Sequence, residues 1–293
     1  MNTTAGRIRL LPCLDSNERA ARNKETLDLS HDKAAALGYS AMEATAKGYY
    51  SSKTGQKVDW NDTVQAACSA KISIPPTAGL PAIKHLSFPK TRIQVSNETT
   101  LEASQRLADN GLRPLALNFA NGVNPGGGFL AGAKAQEEVL CRSSALYATL
   151  VGDPMYAEHR KRPLPDSTDW AILSPDVPVF RNDAGSPLDH PWLLSFLTSA
   201  APYGPAIGQP MAGDLLQRRI HRVLEIARAY AFEAIVLGAW GCGAFGNDAR
   251  RTALDFRQAI EQEYAGAFSD IVFAITDWSS ERKFLGPFRD VFS

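Results

Sequence analysis

Short apolar runs alternate with longer amphipathic segments from residue 92 to the end of the chain. Apolar positions three or four residues apart indicate one face of a helix, and a short apolar run bounded by turn residues is typical of a buried strand. The runs predict strands at 93–95, 115–119, 170–173, 193–197, 235–237 and 271–275. The amphipathic segments predict helices at 100–109, 136–150, 213–231, 250–264 and 281–292. This alternation predicts an α/β fold with a mixed sheet covered by helices on both faces.

The first 80 residues have a different pattern. Leu27, Leu29, Ala34 and Leu37 lie at roughly helical spacing, which predicts one or two helices within 16–50. Residues 69–79 include two adjacent prolines and predict a connector. We therefore expect a helical N-terminal extension, residues 1–80, packed on a main domain of residues 81–293. In that domain, the proline-rich residues 163–191 predict a long excursion from the core, and such loops are often functional.

Composition narrows the setting of the protein. Lys plus Arg and Asp plus Glu both number 31, so no global positive field gathers a polyanion, and a phosphate-rich ligand needs a local pocket. The four cysteines lack metal-ligand or disulfide-framework spacing, which favours reduced thiols in the cytoplasm. No apolar stretch is long enough to span a bilayer, and residues 1–14 lack the apolar run of an export signal. We expect a cytoplasmic protein with no membrane partner and no sequence-specific nucleic-acid partner.

Two glycine-rich loops directly follow predicted strands. The first contains Gly126, Gly127 and Gly128, and the second runs from 238 to 248. Glycines permit positive φ and let a ligand approach the backbone, and ligands of open α/β sheets bind at the carboxyl ends of strands. Inward-turned amides of the second loop, before a helix, would bind a diphosphate without Lys or Arg. Each loop is also compatible with a structural turn, in the second case one that packs Trp240 and Phe245. The second loop matches neither a Walker A loop nor GxGxxG.

Gln136, Glu137 and Glu138 begin the helix predicted after the first loop. Acidic residues in a first turn often only complement the helix dipole. Neighbouring helical residues point about 100° apart, so the two carboxyl groups cannot do the same work on one atom. They can divide the cleavage of a glycoside: one protonates the departing oxygen, and the other binds a ribose hydroxyl and raises the proton affinity of the first. Water then completes the displacement, and the scheme requires no metal or cofactor.

These motifs resemble those of a known family. Residues 119–121, the three glycines, and the Gln-Glu-Glu run after a seven-residue spacer resemble the signature of poly(ADP-ribose) glycohydrolases. Residues 238–248 resemble that family's diphosphate-binding loop. Residues 95–103 and Asn124-Pro125 resemble the microbial type, whose core is a macrodomain. The resemblance covers about 93–288 and implies a macrodomain-like catalytic domain.

The resemblance implies a role for each matching position. Glu138 would be the catalytic acid, and Glu137 would bind ribose hydroxyls beside the scissile bond. Gln136 and the three glycines of the first loop would contact the substrate, with either Asn121 or Asn124 as the ribose-binding asparagine. The second loop would cradle the diphosphate, and Phe245 would pack on the distal ribose. The residues expected in that cradle are Gly241, Cys242, Gly243, Ala244, Phe245 and Gly246.

Other features are further from the signature. In residues 199–203, Tyr203 stands where the family usually has Asn, near the expected adenine-side wall. An N-terminal extension in microbial members favours attack at chain ends, so we expect exo cleavage. The histidines at 159, 190 and 221 lack metal-ligand spacing and are expected on the surface or on helix faces. Cys242 is expected to be a small residue fitted under a phosphate, with a lowered thiol pKa as the alternative. The basic run 160–162 is typical of a solvated loop, with contact to polymer phosphates as the alternative.

We therefore expect an enzyme that hydrolyses ribose-to-ribose bonds of poly(ADP-ribose), releases ADP-ribose, and reverses ADP-ribosylation, including that of a DNA damage response. One alternative is a mono-ADP-ribosyl hydrolase acting on protein or nucleic-acid adducts, because the same pocket would hold the same ADP-ribose. Another is a non-catalytic ADP-ribose-binding module. The acidic pair, Glu137 and Glu138, argues against that module.

Overall fold

The strands form one large sheet and one hairpin. The computed structural model of the chain describes residues 7–82 and 87–293; residues 1–6 and 83–86, which the predicted extension and main domain include, lie outside the described residues. The strands of the described residues are β1 Ile8–Leu10, β2 Tyr49–Ser51, β3 Lys57–Asp59, β4 Ile72–Ile74, β5 Thr91–Ser96, β6 Pro114–Phe119, β7 Ala171–Arg181, β8 Pro187–Ser199, β9 Ala234–Leu237 and β10 Asp270–Ala274. β2 pairs with β3, and the others form the eight-stranded sheet.

Helices connect the strands and cover the large sheet. They are α1 Asn17–Leu27, α2 His31–Lys47, α3 Asn61–Ala70, α4 Thr100–Asp109, α5 Gln136–Ser143, α6 Leu146–Leu150, α7 Pro154–Arg160, α8 Gly204–Ile207, α9 Met211–Ala229, α10 Ala249–Gln262 and α11 Leu285–Val291, with a short 3-10 helix at Phe129–Ala131. Among the described residues, no helix is both long and apolar enough to cross a membrane.

The strand order in the large sheet is β1-β5-β10-β9-β6-β8-β7-β4. The six strands from β1 to β8 in this order pair in parallel, and β7 is antiparallel to both of its neighbours. Consequently the carboxyl ends of β5, β10, β9, β6 and β8 meet at one edge of the sheet. This is the edge where the glycine-rich loops begin.

Alternation along the strands divides the core between the two faces of the sheet. On β6, Leu115 and Leu117 belong to the cluster that α9, α10 and α11 cover, whereas Ala116 belongs to the cluster under α3, α4, α5 and α6. Successive side chains of a strand point to opposite faces, so β6 is buried on both of its faces. The predicted α/β fold with helices on both faces is confirmed.

Most predicted elements of the main domain are observed. All six predicted strands are present, and α4 has the predicted bounds because a capping box fixes its start. Thr99 Oγ1 accepts from the Glu102 amide at 3.0 Å, and the Glu102 carboxylate accepts from the Thr99 amide at 3.2 Å.

The predicted helix 136–150 is wrong as a single element. It is interrupted at Ser144, which has extended backbone angles, and it continues as α6. The amide of the next residue, Ala145, donates to Pro178 O on β7 at 3.0 Å instead of continuing the helical ladder. Pairing with the sheet therefore overrides the helical pattern of the sequence.

The predicted helix 281–292 begins late, at Leu285. Arg282 has a φ of 50°, which is incompatible with a helix. The Asp277 carboxylate accepts from the amides of Phe284 at 2.7 Å and Leu285 at 3.1 Å, so that it satisfies the donors at the helix start.

The prolines misled two predictions. Residues 163–191 are not an excursion from the core, because they include β7 and the start of β8. A register shift between Ser174 and Val177 accommodates Pro175, and proline is tolerated at such irregularities. Residues 69–79 are not only a connector, because they contain edge strand β4, paired with β7.

The N-terminal residues contribute more than the two helices predicted for 16–50, which are confirmed as α1 and α2. They also supply α3 and the β2–β3 hairpin, and their strands β1 and β4 form the two outer edges of the large sheet. The division of the chain at residue 80 stays a prediction.

Candidate active site

A cavity of about 490 Å³ lies at the carboxyl edge of the large sheet. Its wall includes Glu98 and Thr99 after β5, Asn121 after β6, residues 239–241 and 243–245 after β9, and residues 275, 276 and 278 after β10, together with the first turns of α5. Small-molecule sites commonly measure roughly 300–1,000 Å³. The cavity therefore has the size and the position of a ligand site in an α/β sheet.

Glu137 is held by the end of β6. Its Oε2 accepts from the Asn121 amide at 2.7 Å, and its Oε1 accepts from Asn118 Nδ2 at 3.3 Å. The residue is only 3% exposed, and burial raises the pKa of Glu137 to about 8. The Glu138 carboxylate adds to the upward shift, while the hydrogen bonds oppose it. The Glu138 charge thus contributes to the raised pKa of Glu137, whereas the effect expected from the sequence was that of Glu137 on the proposed acid.

Glu138 makes a different set of contacts. Its Oε1 accepts from the Gly128 amide at 3.0 Å, and its buried Oε2 has no hydrogen-bond partner among the described residues. Both glutamates line the cavity. A buried oxygen without a partner is costly, and a ligand group that hydrogen-bonds to it removes that cost. Glu138 Oε2 is therefore the carboxyl oxygen available for chemistry.

The first glycine loop holds the glutamates in place. Gly127 has a φ of 58°, and a Cβ there would lie 2.3 Å from Glu138 Oε1 and 3.0 Å from Glu137 Oε2. Gly126, with a φ of 70°, packs against Phe129 and Tyr147. The three glycines are not part of the cavity wall. Their observed role is to bring backbone close to the glutamates, and their contact with substrate stays a prediction.

Gln136 is engaged within the fold. Its Oε1 accepts from the Phe119 amide at 2.9 Å, and its Nε2 donates to Leu117 O at 2.8 Å and to Thr100 Oγ1 at 3.1 Å. The side-chain amide therefore fastens the start of α5 to the end of β6. Gln136 also lines the cavity, and its contact with substrate stays a prediction.

The two candidate asparagines differ in position. Asn121 lines the cavity, whereas Asn124 is exposed and is not part of its wall. Asn121 Oδ1 accepts from the amides of Val123 at 3.0 Å and Asn124 at 2.9 Å, which shapes the loop. The Asn121 side-chain NH₂ donates to no acceptor among the described residues and can donate to a ligand.

The second glycine loop presents backbone donors to the cavity. Gly241, Gly243, Ala244 and Phe245 all line it, and among the described residues their amides find no acceptor. The loop is held by Asn247, whose Nδ2 donates to Pro202 O at 2.9 Å and Gly241 O at 3.1 Å. Several unpaired amides on one concave surface attract an anion. The loop thus has free backbone donors, and its binding of a diphosphate stays a prediction.

Two residues of this loop lie away from the wall. Gly246 and Cys242 are not part of the cavity surface. Cys242 is buried, and its Sγ lies 3.5 Å from Trp240 O and 3.6 Å from Thr252 Oγ1. Burial raises the pKa of the Cys242 thiol to about 12, so the lowered thiol pKa considered from the sequence is wrong.

Tyr203 lies beside the second loop. Its ring meets that of Phe245 edge to face, with centroids 5.8 Å apart. The segment 199–203 follows β8, on the side of β6 opposite to β9 and β10. Tyr203 is therefore next to Phe245, the residue expected to pack on the distal ribose, and away from β10 and β5.

Sequence reasoning missed several residues of the wall. Asp183, at the turn between β7 and β8, is buried there, and its Oδ2 accepts from Thr99 Oγ1 at 2.7 Å. Burial raises the pKa of Asp183 to about 6. Because residues 163–191 are rich in proline, the sequence did not predict the full length of β7, the strand that precedes Asp183. Missed members also include Leu27, Glu98, Thr99, Lys134, Trp278 and Phe284.

The other singled-out polar residues have structural contacts. His159 is 3% exposed and lies on α7, so of the two positions expected from the sequence it has the one on a helix face. Its Nδ1 lies 2.9 Å from Gly122 O and its Nε2 lies 2.7 Å from Thr168 Oγ1, so the ring joins α7 to the first loop. His190 is exposed. Among the described residues, no group of three His, Cys, Asp or Glu side chains is arranged to hold a metal ion.

These features define a class of protein. It is an α/β protein with a glycosidase-like pocket at one edge of the sheet, lined by a buried pair of carboxyl groups and by residues with unpaired backbone amides. A family model described as "Microbial-type PARG, catalytic domain" matches residues 39–182. A search of curated protein sequences finds no match.

Solved structures give the same answer. Poly(ADP-ribose) glycohydrolase from Thermomonospora curvata is 37% identical, with a TM-score of 0.81 over 89% of this chain and 99% of that one. Its complex with the inhibitor ADP-HPD gives 38% and 0.82 over 88% and 99%. The Deinococcus radiodurans enzyme in complex with ADP-ribose gives 36% and 0.71 over 78% and 96%. The chain therefore belongs to the microbial-type poly(ADP-ribose) glycohydrolase family, a family of macrodomain-like glycosidases.

Proposed function

We propose that this chain hydrolyses the ribose-to-ribose O-glycosidic bonds of poly(ADP-ribose) from chain ends and releases ADP-ribose, with Glu138 as the catalytic acid. One observation carries the proposal: Glu138, whose Oε2 has no hydrogen-bond partner among the described residues, lines the same cavity as residues 241 and 243–245, whose four amides are unpaired there. A proton donor and a diphosphate cradle in one cavity are what a glycosidase for ADP-ribose linkages needs.

The strand order supports a direction for the ligand. β6, β9, β10 and β5 are consecutive neighbours, and neighbouring strands lie about 4.8 Å apart. The glutamates lie beside the loop after β6, the amides follow β9, and Trp278 and Ile275 follow β10. ADP-ribose has the same sequence of parts: distal ribose, diphosphate, adenosine. We therefore assign the distal ribose to β6, the diphosphate to β9 and the adenosine to β10 and β5.

The carboxyl pair supports general acid catalysis. Because burial raises the pKa of Glu137 to about 8, Glu137 retains a proton at neutral pH beside the proposed acid. In the proposed step, the bond from the anomeric carbon to the leaving oxygen breaks as Glu138 protonates that oxygen. Water then adds to the oxocarbenium-like carbon and returns a proton to Glu138. Glu137 and Asn121 would bind the ribose hydroxyls.

The N-terminal residues support attack at chain ends. Leu27 of α1 lines the cavity, and Lys134 in its wall donates to Asp28 Oδ1 and Leu29 O, both at 2.8 Å. Leu27 lies one turn beyond Asn23 on α1, and Asn23 Nδ2 donates to Asn97 Oδ1 after β5 at 2.8 Å, so we assign Leu27 to the adenosine side of the proposed ligand. In an internal unit the polymer continues from the adenosine ribose, so a wall on this side favours exo cleavage.

A reaction with three substrates tests the function. Purified chain is incubated with labelled poly(ADP-ribose), with mono-ADP-ribosylated protein and with mono-ADP-ribosylated nucleic acid, and ADP-ribose release is measured. Release from polymer supports the proposal. Release from mono-modified targets alone would identify a mono-ADP-ribosyl hydrolase, and ADP-ribose binding without release would identify a binding module.

Glu138→Gln tests the proposed acid. We expect turnover of polymer to fall by about 10²–10⁴-fold, the usual contribution of a general acid, because the amide cannot donate the required proton. ADP-ribose affinity, measured by calorimetry, should survive because the cradle is backbone. Glu43→Gln, at an exposed ion pair with Lys47, is the matched control. Equal loss of binding and turnover would show that Glu138 holds the ligand or the fold instead.

We also propose a cytoplasmic location, supported by four free cysteines. A role in reversing ADP-ribosylation, including that of a DNA damage response, is supported by family membership alone.

A further inference from the structure

A second surface adjoins the first glycine loop, on the side of that loop away from the cavity. His159 lies 2.9 Å from Gly122 O, and Arg160 Nη1 donates to Val123 O at 2.5 Å. The Tyr203 amide donates to Pro165 O at 3.0 Å. The end of α7, the first glycine loop and the segment after β8 are therefore joined. Arg160 and Tyr203 are two exposed members of this surface.

Arg160 is the open cation of this surface. Of the basic run 160–162, Lys161 pairs with Glu158 at 2.5 Å, and Arg162 makes two hydrogen bonds to Asp166, at 2.6 and 2.5 Å. Arg160 is exposed and has no carboxylate partner among the described residues. The hydrogen bond to Val123 O holds the guanidinium in place, and its charge is available to an anion.

Tyr203 supplies an aromatic group to the same surface. The residue is 38% exposed, although its ring packs edge to face with Phe245 on the cavity wall. A fixed aromatic ring open to solvent is a stacking platform for a nucleobase. An aromatic ring and a cation on one surface suit a ligand with a base and a phosphate group.

The strand order puts this surface on the leaving-group side. β8, which precedes Tyr203, lies beyond β6, on the side opposite to β9 and β10. If the terminal ADP-ribose extends from β6 toward β10, as the proposed function requires, then the leaving oxygen faces the β8 side. That oxygen belongs to the adenosine ribose of the second unit. The base and the diphosphate of the second unit both hang from that ribose.

We propose that Arg160 and Tyr203 bind the adenosine diphosphate moiety of the second ADP-ribose unit, the part of the polymer that leaves. Arg160 contacts the diphosphate and Tyr203 stacks on the base. The surface increases the enzyme's preference for polymer over isolated ADP-ribose linkages. This inference rests on the proposed function, because it takes its direction from the placement of the terminal unit.

Arg160→Gln tests the cation, since Gln retains a donor for Val123 O but removes the charge. We expect kcat/KM on poly(ADP-ribose) to fall about fivefold, near the upper limit for an exposed ion pair, and Arg160→Lys to recover most of it. The slope of log(kcat/KM) against log[salt] should decrease by about 0.7, the value for one phosphate contact on a single strand. Affinity for free ADP-ribose should be unchanged. Lys161→Gln, which removes a neighbouring charge already paired with Glu158, is the matched control.

Tyr203→Ala tests the platform, with Tyr203→Phe as the variant that keeps a ring. Loss of one base stack should lower kcat/KM on polymer about fivefold or more in the Ala variant, with little change in the Phe variant.

Two results would overturn the inference. One is an Arg160→Gln enzyme with the polymer kinetics and salt slope of Lys161→Gln. The other is a loss of ADP-ribose affinity as large as the loss of kcat/KM in the Arg160 and Tyr203 variants. That result would mean that the two side chains only support the first glycine loop and Phe245. If the unmodified chain does not hydrolyse polymer, the proposed function fails instead, and the two failures remain distinct.

Discussion

At Gly127, the backbone has a φ of 58°, and an added methyl group would meet carboxyl oxygens of both glutamates, at 2.3 Å and 3.0 Å. We expect Gly127→Ala to displace Glu138 and to lower polymer turnover about 100-fold, because small misplacements of a catalytic group have effects of that order. Activity and thermal unfolding are measured together. Gly55→Ala is the matched control, since Gly55 has a φ of 83° but nothing within 4 Å of the added Cβ. Equal activity of the two variants would contradict the prediction.

The raised pKa of Glu137 has a consequence for stability. The folded chain holds the Glu137 proton more tightly than the unfolded chain, in which the pKa is near 4.5. The stability associated with that proton is complete below pH 4.5 and is lost as the pH rises through about 8. The free energy of unfolding of the wild type, relative to Glu137→Gln, should therefore decrease from pH 5 to pH 8.5. Urea unfolding across this range measures it, and a rising difference would contradict it. Asp183 also has a raised pKa, but it is present in both proteins, so its contribution cancels in the difference.

The sequence could identify the residues of the site only where chemistry and spacing are local. Asn121 and the second loop were found because each closely follows a strand, and Glu137 and Glu138 were found because they begin a helix and match the family signature. Asp183 and Leu27 could not be found, because they reach the wall from a hairpin and from a helix far away in the chain. Neither position has a local pattern that distinguishes it from ordinary surface or core.

At the scale of elements, the start of α4 is coupled to the turn between β7 and β8. Thr99 Oγ1 accepts from the Glu102 amide and donates to Asp183 Oδ2, so one hydroxyl caps the helix and holds the turn. Thr99→Val should destabilise the chain by about 1–3 kcal/mol, since a cap is lost and a buried acceptor is left unpaired. Thr99→Ser keeps the hydroxyl and should retain most of the stability in urea unfolding. Equal stability of the two variants would show that the hydroxyl has no role in this coupling.

The elements that were predicted well are those whose pattern is decided locally. β6 is a continuous apolar strand, and α4 has its capping box in the sequence. The break at Ser144 depends on Pro178, which is distant in the chain and adjacent only in the folded sheet. β1 and β4, three residues each, pair only because a sheet edge is already present. Short edge strands and interrupted helices are therefore products of tertiary context.

At the scale of the whole molecule, the N-terminal residues are joined to the fold in several places. β1 and β4 close the two edges of the sheet. Asn23 of α1 donates to Asn97 Oδ1 at 2.8 Å and to Asn97 O at 3.1 Å, and Asn97 Nδ2 donates to Asp277 O at 2.7 Å. Deleting residues 1–80 would remove both edge strands and this buried network together. The effect of the extension on cleavage must be tested by point substitution within the intact chain.

Leu27→Ala is such a substitution. Leu27 is buried and forms the wall on the proposed adenosine side, so removing most of its side chain opens the side from which an internal unit would continue. On long labelled polymer, the wild type should release ADP-ribose while the remaining chains shorten slowly. The Leu27→Ala variant should release a larger share of short oligomers, which gel electrophoresis of early time points resolves. Leu254→Ala, at a leucine that is 45% exposed on α10 and outside the cavity wall, should match the wild type. Abundant oligomer release by the wild type itself would mean that the N-terminal wall does not restrict the enzyme to chain ends.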